Sequence, residues 1–224
     1  MKLAAALAAA AVLLSACAET QLLTPVSPLL GAPLSLRAGD YEARRQIAEL
    51  ERKGDWRSLS TLATQVVARN PGDEDWLLIL GYARLQAADY PQAIETLRQA
   101  AARTPEDADA ANLEAEALRR SGQHGEAARI LERSVMDHPS SAPGWFLLGL
   151  AYTDLKRLDR ARAAYAESVR MDTEYAMGWY GLAGALARLG PRDQYEDALK
   201  HLGALNPALL EEHRKGVTGT PESR

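Results

Sequence analysis

Pro71, Pro105 and Pro139 stand 34 residues apart, and Pro207 follows at twice that interval, with Thr173 at the skipped position. The same step carries Gly81 to Ala115, Gly149 and Ala183, Ala93 to Ala127 and Ala161, and Leu97 to Leu131, Tyr165 and Leu199. A fixed period in this range marks a chain built of stacked supersecondary units, and it constrains the fold more than composition does. Each unit reads as two antiparallel helices joined by a short turn. A small residue at the eighth position lets the paired backbones approach, and Ala at the twentieth does so from the second helix. Large apolar residues at the fourth, seventh, eleventh and twenty-fourth positions fill the remaining space. Lys53-Gly54-Asp55, Ser121-Gly122 and Leu189-Gly190-Pro191 supply turn signals between helices. A single unit cannot bury its apolar faces, so the units stack into one elongated core.

The columns resemble the tetratricopeptide repeat, W-x2-L-G-x2-Y followed by A-x3-F, A and P. The fourth unit carries Trp145, Leu148, Gly149, Tyr152, Ala161, Tyr165 and Ser168, and the fifth Trp179, Leu182, Ala183, Leu186, Tyr195, Leu199, Leu202 and Pro207. The resemblance implies an all-α, right-handed superhelical solenoid. Five units are expected, at 40–73, 74–107, 108–141, 142–175 and 176–209, within a repeat domain spanning 40–216. The charged stretch Tyr41 to Lys53 lacks the Trp, Leu and Gly landmarks and reads as a polar cap. Asn206 and Pro207 predict the start of a capping helix over 207–216, ended by Gly216, with 217–224 as a disordered tail. In the third unit Glu114 replaces the expected Leu, and burying a carboxylate is costly. A small rotation of that helix, turning Leu113 inward, is expected instead.

The beginning of the chain is of another kind. Met1-Lys2 precedes an apolar run from Leu3 to Leu14, too short to span a bilayer as a helix, and then Leu14-Ser15-Ala16-Cys17. That tetrapeptide resembles the bacterial lipobox and contains the sole cysteine, so residues 1–16 are expected to be a signal peptide and Cys17 the lipidated residue. Several acyl chains, palmitate among them, would make anchoring effectively permanent. Two other readings stay open: ordinary cleavage at Ala16-Cys17-Ala18, releasing a chain that begins at Glu19, and an uncleaved signal anchor. Ala18, rather than Asp, follows the cysteine; by resemblance to lipoproteins of two-membrane bacteria this implies the outer membrane, with the domain facing the periplasm. Residues 17–39 form a tether interrupted by Pro25, Pro28 and Pro33, which forbid a long helix. It carries Leu22, Leu23, Val26, Leu29, Leu30, Leu34 and Leu36, more apolar side chains than a solvated linker needs, so it docks on the solenoid or lies at the membrane surface.

Without Lys2 the chain has 25 basic side chains (one fewer than the 26 of the whole sequence) against 30 acidic ones, interspersed on helical faces. This is no nucleic-acid footprint. His124, His138, His201 and His213 form no metal-ligand spacing and read as solvated surface residues, and no nucleophile motif or phosphate loop appears. A non-enzyme that uses no cofactor and no metal is expected. Trp145 and Trp179 occupy the repeat's own packing position. Trp56 sits at a turn, and Trp76, one residue out of register, is a candidate for exposure and binding.

By resemblance, the second, fifth, ninth and twelfth positions of each unit line a concave groove. Asp75, Asp109 and Met177 hold the second position. Arg44, Leu78, Asn112, Phe146 and Tyr180 hold the fifth, Ala48, Tyr82, Glu116, Leu150 and Gly184 the ninth, and Leu85 and Arg119 the twelfth. The Lys and Asn set with which chaperone-binding repeats clamp a C-terminal carboxylate is missing. Two apolar patches result, Leu78/Tyr82/Leu85 and Phe146/Leu150/Met177/Tyr180, about a polar middle at Asn112, Glu116 and Arg119. They suit an amphipathic or extended protein segment; the competing readings are that the chain's own tether occupies the groove or that the helices tilt and bury these residues. If the patch is open, Phe146→Ala and Tyr180→Ala weaken partner capture and leave unfolding nearly unchanged. The whole resembles membrane-anchored adaptors of pilus and secretion systems, such as Tad (Flp) pilus assembly lipoproteins and pilotins. Delivery of peptidoglycan hydrolases or proteases, outer-membrane protein assembly and polysaccharide export are alternative roles.

Overall fold

The computed structural model describes residues 37–39 and 41–218. The signal segment, Cys17, the tether up to Leu36 and the last six residues lie outside the described residues. Eleven helices follow one another among them: α1 (Tyr41–Lys53), α2 (Trp56–Arg69), α3 (Glu74–Gln86), α4 (Tyr90–Arg103), α5 (Ala108–Arg120), α6 (His124–Asp137), α7 (Ala142–Asp154), α8 (Leu158–Met171), α9 (Ala176–Leu189), α10 (Arg192–Leu205) and α11 (Pro207–Thr218). They form five helix pairs and a closing helix, an all-α solenoid. The cap runs two residues past Gly216, where its end was expected; Asn206 accepts the Leu209 amide through Oδ1 at 3.1 Å, as a helix-starting residue should.

The packing positions work as the spacing predicts. A Cβ on Gly81 would fall 2.5 Å from Leu97, and one on Gly149 2.4 Å from the Tyr165 ring, so the eighth position faces the twenty-fourth with no room for a methyl. Tyr165 is also hemmed by Gly181 of the next unit, whose added Cβ would lie 2.5 Å away. Leu113 is fully buried, and its neighbour Glu114, also buried, accepts from Arg98 Nε at 3.0 Å. The carboxylate is thus inside but paired, and burial still holds its acidity weaker than usual.

The turns inside the units repeat one backbone shape. Gly54, Ala88, Gly122 and Lys156, each 34 after the last, have φ of 66°, 61°, 87° and 61°. The amide of the following residue then reaches back to the carbonyl five residues earlier, as in Asp55 to Leu50 at 2.9 Å and Arg157 to Tyr152 at 2.8 Å. In the fifth unit that donor position is Pro191, which has no N–H. Gly190 has a negative φ, and α9 is one residue longer than the first helices before it. Between units, the carbonyls of Pro71, Pro105, Pro139 and Thr173 each meet a side chain. Arg103 Nη1 donates to Pro71 O at 2.5 Å, His138 Nε2 lies 3.1 Å from Pro105 O, and the indoles of Trp145 and Trp179 donate to Pro139 O (2.9 Å) and Thr173 O (2.8 Å).

Which face is inner follows from which helices touch. α3 packs on α5, α5 on α7, α7 on α9 and α9 on α11, whereas no second helix (α2, α4, α6, α8, α10) meets the next one among the described residues. The layer of first helices is the tighter one, hence the inside of the curve. α1 is the exception: it packs on α2 and not on α3.

Candidate functional site

The inner layer brings the predicted groove residues to one side of the solenoid and then treats them unequally. Leu78, Tyr82, Leu85, Asn112 and Phe146 are buried, none more than 4 % exposed; Leu150, Met177 and Tyr180 are half-buried. Phe146 lies 5.9 Å, ring to ring, from both Tyr165 and Tyr175, which makes it a core aromatic. The expectation that its truncation would spare stability is corrected by that burial. The rings of Tyr82 and Trp56 meet edge to face, with centroids 5.7 Å apart. Trp76 is buried as well, so its expected exposure does not hold.

Asn112 does not face a partner. Its Oδ1 accepts from Ser134 Oγ at 2.9 Å and its Nδ2 lies 3.4 Å from Ser141 Oγ, tying α5 to α6 and to the residue that caps α7. Glu116, 2 % exposed, is clamped by Arg119 (2.7 and 3.0 Å) and Arg120 (2.6 Å). Arg119 also reaches Asp154 Oδ2 at 2.9 Å in the next unit. Burial works against the charge on Arg119, and bonds to Glu116 and Asp154 more than offset it, so the guanidinium is held more firmly protonated than usual. Asn112 and Glu116 are therefore buried and internally satisfied, tied with half-buried Arg119 into a girdle between units that sequence position could not distinguish from an open polar strip.

What remains reachable on the inner face lies at its two ends. Toward the C-terminal end are Leu150, Met177 and Tyr180, bordered by α11, whose buried His213 meets the Tyr180 ring at 5.6 Å and the Tyr195 hydroxyl at 3.2 Å. His213 thus corrects the reading of all four histidines as surface residues. Toward the N-terminal end are exposed Asp75 of α3 and half-buried Asp107 ahead of α5, backed by buried Asp109 of α5 and joined by Arg37 from the segment ahead of α1. A separate, open cavity of about 680 Å³ lies among α8, α9 and α10, lined by Trp179, Leu182, Leu186, Arg162, Asp193 and Asp197; Trp179 there stacks on His201 at 4.3 Å. No cluster of His, Cys, Asp and Glu that could hold a metal occurs among the described residues, and no described helix is long and apolar enough to cross a membrane.

A two-layer solenoid with a continuous inner face defines a protein-interaction scaffold. The chain belongs to the tetratricopeptide repeat family, whose model matches residues 45–108, 80–142 and 112–176. Among solved structures it is similar to TTC0263, a thermophilic tetratricopeptide protein of Thermus thermophilus (21% identity, TM-score 0.67, covering 78% of this chain and 96% of that one). It is also similar to MamA 41-end of Desulfovibrio magneticus RS-1 (21% identity, TM-score 0.55, 84% and 98%). Curated relatives include the human cilia- and flagella-associated protein 70 (27% identical over 135 residues, 59% of this chain and 12% of that protein). Another is the anaphase-promoting complex subunit cut9 of Schizosaccharomyces pombe (29% over 90 residues, 40% and 13%). The chain spans about an eighth of the length of these curated relatives, and the likeness to the solved structures extends to the fold alone.

Proposed function

We propose that this protein is a non-enzymatic adaptor, anchored through a lipid on Cys17 in the outer membrane, with its solenoid facing the periplasm. There it holds protein partners during assembly or localisation of a pilus or secretion machine. The observation that carries the adaptor reading is the inner layer of first helices, continuous from α3 to α11, with reachable apolar groups at Leu150, Met177 and Tyr180 at one end. The anchor is supported by Leu14-Ser15-Ala16-Cys17 and the apolar run before it.

The test separates anchor from capture. Wild type and Cys17→Ala are compared in fractionated envelopes, and partners are recovered by crosslinking from wild type and Tyr180→Ala. Cys17→Ala is expected to leave the membrane fraction, and Tyr180→Ala to lose secretin or pilus subunits that wild type retains. Membrane retention without Cys17 sinks the anchor. Recovery of cell-wall hydrolases or proteases in place of machine subunits replaces the pilus role by recruitment.

A further inference from the structure

The segment ahead of the first helix is seated on the inner face. Arg37 sends Nη1 to Asp107 Oδ2 at 2.6 Å and Nη2 to Asp109 Oδ2 at 2.5 Å, with Asp75 Oδ1 at 3.6 Å from Nη1. These bonds close about 70 residues of chain. The next residue, Ala38, is fully buried, and its carbonyl accepts from Arg44 Nε of α1 at 2.8 Å. Because α1 does not pack on α3, this segment reaches the ends of α3 and α5 where a preceding first helix would otherwise stand.

The receiving carboxylates belong to the repeat. Asp75 and Asp109 hold the second position of consecutive units, in the first turns of α3 and α5, and Asp107 caps α5 by accepting the Asp109 amide at 2.9 Å. Each is in place to complement its own helix terminus; Arg37 is added from outside the units. Its planar fork satisfies two carboxylates from one side chain, which an ammonium would not do in that geometry. Beside it is a cavity of about 300 Å³ whose walls include Asp73, Glu74, Asp75, Leu78 and Asp107, with Arg37 the one cation lining it among the described residues. Asp75 is both the most exposed of the three partners and the farthest from Arg37, so an incoming guanidinium can engage it and the cavity before Arg37 leaves.

We propose that Arg37 and Ala38 are a resident occupant of the inner face, a strap holding a site that takes an arginine from a partner segment, so that partner capture proceeds by displacing the strap. This rests on the inner face being the partner surface. The excess of carboxylate at that end favours a basic segment, and the competition weakens as salt screens it.

The probe is a fluorescent peptide copying residues 34–40, and the same peptide with Arg37→Gln, titrated by anisotropy into the full chain and its variants. The full chain with Arg37→Gln is expected to bind the arginine peptide at least tenfold more tightly than wild type, and to ignore the glutamine peptide. Adding Asp109→Asn should abolish the gain. Equal binding to wild type and Arg37→Gln, or binding to neither, overturns the strap. Should Arg37→Gln lose helicity, wild type decides: excess arginine peptide must speed amide exchange at residues 37–41, and unchanged exchange overturns it. Peptide binding by Arg37→Gln with no envelope partner recovered would keep the strap and remove the adaptor reading. Machine subunits recovered equally by wild type and Arg37→Gln, with no peptide binding, would do the reverse.

Discussion

Two helical glycines should respond in opposite senses to the same methyl group. Alanine at Gly149 would place Cβ 2.4 Å from Tyr165 Cε1, 2.5 Å from Cδ1 and 2.8 Å from Cζ. Comfortable carbon contacts are about 3.5–4.0 Å, so the ring must retreat by roughly 1 Å. Its freedom to move is limited: it lies so close to the Gly181 backbone that a Cβ there would come within 2.5 Å, Phe146 is tilted beside it at 5.9 Å, and its hydroxyl lies 3.2 Å from Thr153 Oγ1. Overpacking of this kind costs about 1–3 kcal/mol, against a helix-propensity gain of about 1 kcal/mol for Gly→Ala. Gly184, in α9, has nothing among the described residues within 4 Å of an added Cβ. Gly184→Ala should therefore keep the full gain, and the propensity contribution cancels in the comparison. The two variants should differ by about 1–3 kcal/mol in urea unfolding followed by circular dichroism, with Gly149→Ala the less stable. Tyr165→Leu in the Gly149→Ala background should recover part of the loss. Equal shifts from the two alanines would refute the claim that the eighth position is reserved for close approach.

At the repeated turn, Ala88→Gly and Lys156→Gly should each gain about 0.5–1 kcal/mol by relieving a positive φ, while Gly122→Ala loses about 1–2 kcal/mol; thermal melts give the signs. Phe146→Ala should cost about 3–5 kcal/mol in unfolding, so a partner lost by that variant says nothing about contact until folding is shown intact. Glu51 and His213 should bend the pH profile from opposite sides. Burial pushes the Glu51 carboxyl up to about 7, so the native state holds a proton that the unfolded chain releases. That stability is complete below about pH 4.5 and is lost as pH rises through 7. Burial pushes His213 down, so the unfolded chain takes the proton first, and stability present above about 6.5 is lost as pH falls. Melting temperatures between about pH 4.5 and 8.5 should lose the alkaline-side decline in Glu51→Gln and the acid-side decline in His213→Phe.

The fold was legible because its controlling contacts are backbone approaches, and those tolerate only small side chains. Gly81 against Leu97 and Gly149 against Tyr165 are visible as columns before any coordinates exist. The turn was half legible. Gly54 and Gly122 announce a left-handed residue, but Ala88 and Lys156 adopt the same conformation without the signal, since the helices on either side impose it. Pro191 was read as a turn residue, which it is; that it also removes the donor closing the other four turns follows only when those hydrogen bonds are compared.

The candidate site was legible as a face and not as a surface. A repeat position states toward which layer a side chain points, and Leu78, Tyr82, Asn112 and Phe146 do belong to the first-helix layer. It does not state what lies above them. Burial at Phe146 depends on Tyr175, in the link before α9, and the satisfaction of Asn112 on Ser134 and Ser141, 22 and 29 residues away. Arg37 is the extreme case, a cation with no local motif whose partners lie about 70 residues on. Periodicity carries no information about such contacts, because they join a unique segment to a repeated one. The parts of this chain that repeat set the scaffold, and the residues that break the repeat are the ones its period could not place: Arg37 across the starts of α3 and α5, Pro191 at the fifth turn, and His213 against Tyr180 and Tyr195.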